Sequence, residues 1–320
     1  MSRSPAPCAA AGLLVALSLG CAAPEPPLRV GMHGWIGYEP LFLARDVGGL
    51  EEGAVRLIRF PSAREAMRAY RHHALDVVAL TADEALLVAE ELPGQRIVLV
   101  CDVSRGGDAI LAREGASSML DLKGRRIGLM PHAVGAYVLS RALELSGMSA
   151  ADVEPVQVAL GEHEAALLGG RVDAIVTFEP VRSRLLRAKA RVVFDTTRIP
   201  GEVVDVLLAS PEAVARASGS LQALVEAWFE ALRRIEEEPD LAARLLAPRV
   251  GMTGEQLLAS LEGLEFPDRR ANARMLAGAG AGLAPTLARL RDVMAKNRLL
   301  ERPERAVLRL EDRFVREEGR

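Results

Sequence analysis

Aromatic side chains are scarce in this chain: phenylalanine, tryptophan and tyrosine together make up 4% of it, and two residues are tryptophan. A core with so few rings is filled by aliphatic side chains, so a local concentration of aromatics asks for a reason other than packing. Cysteine is as sparse, with Cys8, Cys21 and Cys101, which excludes a disulfide framework. Cys101 sits in the apolar run IVLVC and reads as a small core residue. An excess of one charge is also missing. Forty Lys and Arg against 43 Asp and Glu leave a net charge of −3, mixed along the chain without a basic stripe, which excludes nucleic acid as a partner. The apolar run 9–19 is shorter than the roughly 20 residues a membrane-spanning helix requires.

That run, preceded by the single charge of Arg3, fits the apolar region of an export signal. Ser18-Leu19-Gly20-Cys21 resembles the lipobox of bacterial lipoproteins, departing from it by Ser in place of Leu three positions before the cysteine. The resemblance implies a signal peptide over 1–20, acylation of Cys21 and a tether over 21–27. Cleavage after Ala23, giving a soluble periplasmic protein, is the alternative.

From residue 28 onward, short apolar runs alternate with amphipathic ones. Strands are expected at 28–32, 54–60, 75–80 and 97–103, separated by segments with apolar residues at helical spacing. Ser62 with Glu65 three residues later forms a capping-box pattern, and Gly48 and Gly94 mark helix ends. The alternation restarts with strands at 108–113, 125–130, 153–160, 172–178 and 190–194, and a helix from 134 to 146. This predicts an α/β protein of two doubly wound lobes with mostly parallel sheets. ALDVVALTADE and RVDAIVTFEP echo each other, which suggests lobes of like construction. From about residue 221 the pattern is helical, with Arg and Glu pairs at i,i+4 spacing on solvated faces.

Ligands of open α/β sheets bind beyond the C-terminal ends of the strands, where helix N-termini leave N–H groups free. Those ends carry Trp35 and Tyr38 in the glycine-rich stretch HGWIGYEP, then Thr81 and Asp83, Ser104 and Asp108, His132, Gly135 and Tyr137, and Glu179. Flat rings on a glycine loop suit stacking on a planar or cationic ligand, with packing on the next helix as the alternative. Asp83 is a ligand contact or a helix cap, Asp108 a ligand contact or part of a hinge, and Glu179 a ligand contact or a charge complementing a helix dipole. Asp205 stands in a run of Val and Leu and needs a partner, either an arginine or a ligand. Carboxylates outnumber arginines at these ends, which favours an amine or a protonated heterocycle over a sulfonate or nitrate. No metal-binding spacing and no cofactor motif is present.

VGMHGWIGYEPLFLARDVG, SRGGDAI, DLKGRRIGL, VDAIVTFEPV and FDTTRIPGEVVDVLL together resemble the periplasmic substrate-binding proteins of ABC importers, in the family that binds nitrate, sulfonates, taurine and thiamin pyrimidines. The resemblance implies a type II periplasmic binding protein, with lobe 1 over 28–104 plus 206–320, lobe 2 over 105–205, and two crossover segments between them. It implies a monomer that clamps a small molecule, meets permease subunits, and reaches the membrane through its lipid anchor. An enzyme of the same fold using His132 and Glu179 is the alternative.

Overall fold

The computed structural model describes residues 25–130, 134–278 and 282–316. The expected Cys21 anchor, the signal segment and His132 lie outside the described residues. The first sheet begins with β1 (Leu28–Met32), β2 (Val55–Arg59), β3 (Val77–Thr81) and β4 (Arg96–Ser104), interleaved with α1 (Glu39–Asp46), α2 (Ala63–Arg71) and α3 (Ala82–Glu91). The chain then crosses into a second sheet of β5 (Asp108–Ala112), β6 (Arg126–Leu129), β7 (Glu154–Gln157), β8 (Ala174–Phe178) and β9 (Arg191–Asp195). Its helices are α4 (Val134–Leu145), α5 (His163–Leu168) and α6 (Val181–Arg187). β10 (Val204–Ala209) returns to the first sheet, and the short strands β11 (Leu264–Glu265) and β12 (Arg309–Leu310) complete its edge.

The strands form because Val, Ile and Leu runs of five or so residues, buried on both faces, suit the interior of a helix-covered sheet. β1, β3 and β10 are almost wholly buried. The Ser62 side chain accepts from Glu65 N–H at 3.3 Å and starts α2, while Gly48 and Gly94 take positive φ after α1 and α3, as the sequence signals require. Cys101 is fully buried.

The expectation of mostly parallel sheets needs correcting. β1 pairs parallel with β2 and β3, and β6 parallel with β7 and β8, but β10 runs antiparallel between β3 and β4 and β5 runs antiparallel between β8 and β9. The reason is the route of the chain. A crossing segment enters the other sheet from the cleft, where the C-terminal ends of the parallel strands lie, and so must run against them. Asp205, placed by the sequence at the end of lobe 2, pairs with Thr81 and Asp102 in the first sheet.

The echo between the two halves has a structural basis. In the first sheet, the backbone N–H and guanidinium of Arg29 donate to Asp76 at 2.9 to 3.1 Å, clamping the starts of β1 and β3. In the second, Arg126 does the same to Asp173 at 3.1 to 3.2 Å, clamping β6 and β8. The register also matches, with Gly31 opposite Val78 and Gly128 opposite Ile175.

The helical remainder is α7 (Pro211–Arg216), α8 (Ser218–Glu237), α9 (Pro239–Leu246), α10 (Gly254–Leu261), α11 (Arg269–Leu276) and α12 (Ala284–Lys296). α8 packs on α1 and buries Trp228 in the larger core. α11 lies against β4, where Asn272 inserts between the stretches paired to β11 and β12. Its Oδ1 accepts from Val100 N–H at 2.8 Å, and its Nδ2 donates to the Val100 and Pro267 carbonyls at 3.0 Å.

Candidate functional site

The strand ends of both sheets converge on one small space, lined by His33 and Trp35 after β1, Ala63 of α2, Thr81 of β3, Glu84 of α3, and Asp205 of β10. The second sheet contributes Asp108, Met130, Val134 and Phe178. The cavity measures about 10 Å³. A single water needs roughly 10–15 Å³, so the lobes are shut on each other and a ligand enters only by their opening.

Trp35 is held from behind. Its Nε1–H donates to Asp102 Oδ2 at 3.1 Å, and its ring stands edge-to-face with Phe178 at 5.5 Å between centroids. The glycine at 37 is required here, since a Cβ there would lie 2.1 Å from Asp102 Oδ2 and 2.4 Å from Trp35 Nε1. His33 meets both Tyr38 and Phe178 edge-on.

Of the residues expected from sequence, Trp35, Thr81, Asp108 and Asp205 line the cavity. Tyr38 lies behind it, fully buried, with its hydroxyl donating to Asp205. Asp83 is buried in the first turn of α3 beside Glu84. Ser104 sits at the crossing into the second sheet, where its hydroxyl is 2.9 Å from that of Thr196 and accepts from Asp108 N–H at 3.1 Å. Gly135 packs α4 against Leu129 and Val176. The Tyr137 hydroxyl donates to Glu202 at 2.7 Å and so faces the return crossing. Glu179 caps α6, accepting from Ser183 N–H and Oγ and from Arg182 at 3.0 to 3.1 Å.

Sequence reasoning missed Glu84, Phe178 and Asp102, and placed His33 at the strand end only as part of HGWIGYEP. Glu84 reads as a capping-box partner, and it does accept from Thr81 N–H at 3.2 Å. Phe178 was visible as the residue before Glu179 at a strand end. Asp102 lies inside an apolar strand and gives no signal beyond its cost of burial.

The electrostatics of the site are those of acids taken out of water. Burial pushes Asp108 up to about 7, with the charges of Asp83 and Glu179 adding to it and a hydrogen bond from Ser104 opposing. Burial raises Glu84 to about 8, with Asp83 next in effect, and raises Asp102 to about 8. Asp205 is raised well above the usual carboxylate range by burial and by Asp102. Burial, with Arg59 nearby, lowers His33 to about 4, so the imidazole is neutral at pH 7. Among the described residues, none that lines the cavity is Arg or Lys, and Asp108 Oδ2 has no hydrogen-bond partner. No cluster among the described residues has the makings of a metal site.

The sequence model of the NMT1-like family matches residues 21–248, well over half of the chain. The chain belongs to the NMT1-like family. This NMT1-like chain is 27% identical over 268 residues, 79% of itself and 82% of the relative, to an Escherichia coli (strain K12) protein named provisionally as an aliphatic sulfonates-binding protein. Among solved structures it resembles the alkanesulfonate-binding protein SsuA of Xanthomonas axonopodis pv. citri, bound to MOPS. The TM-score is 0.76 at 20% identity, over 90% of this chain and all of that one. It also resembles the desulfurization enzyme DSZB, with a TM-score of 0.61 at 18% identity over 91% and 98% of the two chains. At such identities the two structures establish the fold alone, the two-lobed periplasmic binding protein fold, which serves binders and at least one enzyme.

Proposed function

We propose that this protein is the solute-binding component of an ABC importer, closing its two lobes on a small molecule and presenting the closed form to a permease. The family and the E. coli relative support that reading. With it go export to the periplasm, anchoring through Cys21, and action as a monomer with lobes near 28–104 plus 204–320 and 105–203, the return crossing ending where β10 joins the first sheet.

The ligand we assign to it carries positive charge, as an amine or a protonated heterocycle. One observation carries this: Glu84, Asp108 and Asp205 converge on a cavity that, among the described residues, no Arg or Lys lines and in which Asp108 keeps a buried oxygen without a partner. A sulfonate there would meet carboxylates and no compensating cation. Trp35 and Phe178 add ring faces and edges that favour a cation or a flat ring. The enzyme alternative has less support, because both Glu179 oxygens are engaged within α6.

Native mass spectrometry of the purified protein, followed by a thermal-shift panel of amines, protonated pyrimidines, sulfonates and nitrate, tests the assignment. A ligand at a hundredfold excess over Kd stabilises by about 2.7 kcal/mol, an easily read rise in Tm. We expect the cations to raise Tm and the anions to leave it unchanged. The opposite pattern overturns the cationic assignment, and turnover of any panel member overturns the binder reading.

A further inference from the structure

The closed cleft contains more acid than it can hold as anions. Asp102 of β4 and Asp205 of β10 are directly opposite each other in an antiparallel pair, so their side chains share a face. Asp205 is also opposite Thr81 of β3, and Glu84 follows one helical turn later. Asp108 approaches from the second sheet. All four are at least nine-tenths buried.

Among the described residues, the groups facing them do not supply the missing positive charge. From β1 comes the neutral ring of His33, and from the turn after it the Tyr38 hydroxyl and the Trp35 N–H, one donor each to Asp205 and Asp102. β4 adds the buried Cys101 thiol, and α3 adds another carboxyl, Asp83. Arg59 at the end of β2 is paired with Glu39, and Arg182 of α6 with Glu179. Among the described residues, one oxygen each of Asp102 and Asp108 has no partner. Two carboxyls placed together in a dry site cannot both ionise cheaply, so one keeps its proton.

We propose that the ligand-free cleft closes only when protons are shared among Asp102, Asp205, Asp108 and Glu84, so that closure of the empty protein takes up protons and the ligand's positive charge takes their place. The second half rests on the cationic reading above; the first half does not. The raised values of Asp108, Glu84 and Asp102, about 7 to 8, agree with it. Sign follows from linkage: Asp108 comes from the second sheet and its charge raises Glu84, Asp102 and Asp205, so bringing it against them favours their protonated forms and rising pH through that window favours opening. Open in alkali and closed in acid, the empty protein is kept from presenting a ligand-like closed form except where protons are plentiful.

Small-angle X-ray scattering of the full-length, ligand-stripped protein tests this with pH as the only variable. The radius of gyration is expected to grow between about pH 5 and about pH 9, with its midpoint between about 6 and about 8. The double variant Asp102→Asn, Asp205→Asn keeps acceptors for Trp35 and Tyr38 but loses the ionisation, and Asp108→Asn does so at a single site. Each is expected to expand less than the wild type over this range, the double variant least, because the acids left in place still titrate; circular dichroism confirms that each is folded. A wild-type radius that does not change with pH, or variants that expand as the wild type does, overturns the proposal. A panel in which only sulfonates bind, together with a pH-dependent radius, sinks the cationic reading and leaves proton-linked closure in place.

Discussion

At the scale of single residues, the pair Trp35 and Asp102 explains why two of the rare aromatics lie together in HGWIGYEP. Trp35→Phe keeps the apolar ring but removes the Nε1–H donor, leaving Asp102 Oδ2 buried without a partner. We expect a loss of about 1–3 kcal/mol in urea denaturation at neutral pH. Asp173 behaves in the opposite electrostatic sense to the cleft acids. Hydrogen bonds from Arg126, more than any other influence, hold it down to about 2. Its contribution to stability is therefore present above the ordinary carboxylate value near 4 and lost as pH falls from there through about 2. Asp173→Asn is expected to be less stable than wild type at pH 7, with the gap about halved near pH 3 and closing below about pH 2. The sequence made Trp35, Asp108 and Asp205 legible because each breaks its local pattern, a ring among glycines or a charge among valines. It hid Glu84 because a helix cap accounts for it equally well.

At the scale of elements, close approaches decide what can be changed. Gly37→Ala puts a carbon into Asp102 and the Trp35 indole, and because both are packed it is expected to cost about 1–3 kcal/mol and to weaken ligand binding. Asn272 does for β4 what a neighbouring strand would do, satisfying Val100 between the two short flanking strands. Asn272→Ala leaves a buried N–H and carbonyl open, and a loss of roughly 2–5 kcal/mol is expected from chemical denaturation. Alternating runs announced nearly every long strand, since burial on both faces writes itself as Val, Ile and Leu. Strand direction was not legible, because β5 and β10 have the same composition as their parallel neighbours and differ only in the side from which the chain arrives. β11 and β12, two residues each, are too short to carry any period.

At the scale of the whole molecule, ion pairs span the two lobes. Lys296 of α12 meets Glu144 of α4 at 3.2 Å, and Arg289 meets Glu202 at 3.6 Å. Both cations are more than half exposed, with side-chain exposures of 71% and 63%. Of the two, only the Lys296–Glu144 pair is exposed at both ends, and such pairs contribute about 0–1 kcal/mol, so Lys296→Ala is expected to change ligand affinity less than about fivefold by calorimetry. The two-lobed plan was legible from the restart of the alternation, whereas the tight closure of the cleft was not, because it depends on the distance between sheets and not on either one. Asn272 has a consequence at this scale too. The amide that patches β4 arrives 172 residues later in the chain, from the helical region, so a polypeptide emerging from synthesis has an unfinished sheet margin until that region is made. Chains cut short before residue 272 would present a long, apolar, unpaired strand edge to one another, and their characteristic failure is expected to be assembly into β-rich aggregates and not simple unfolding.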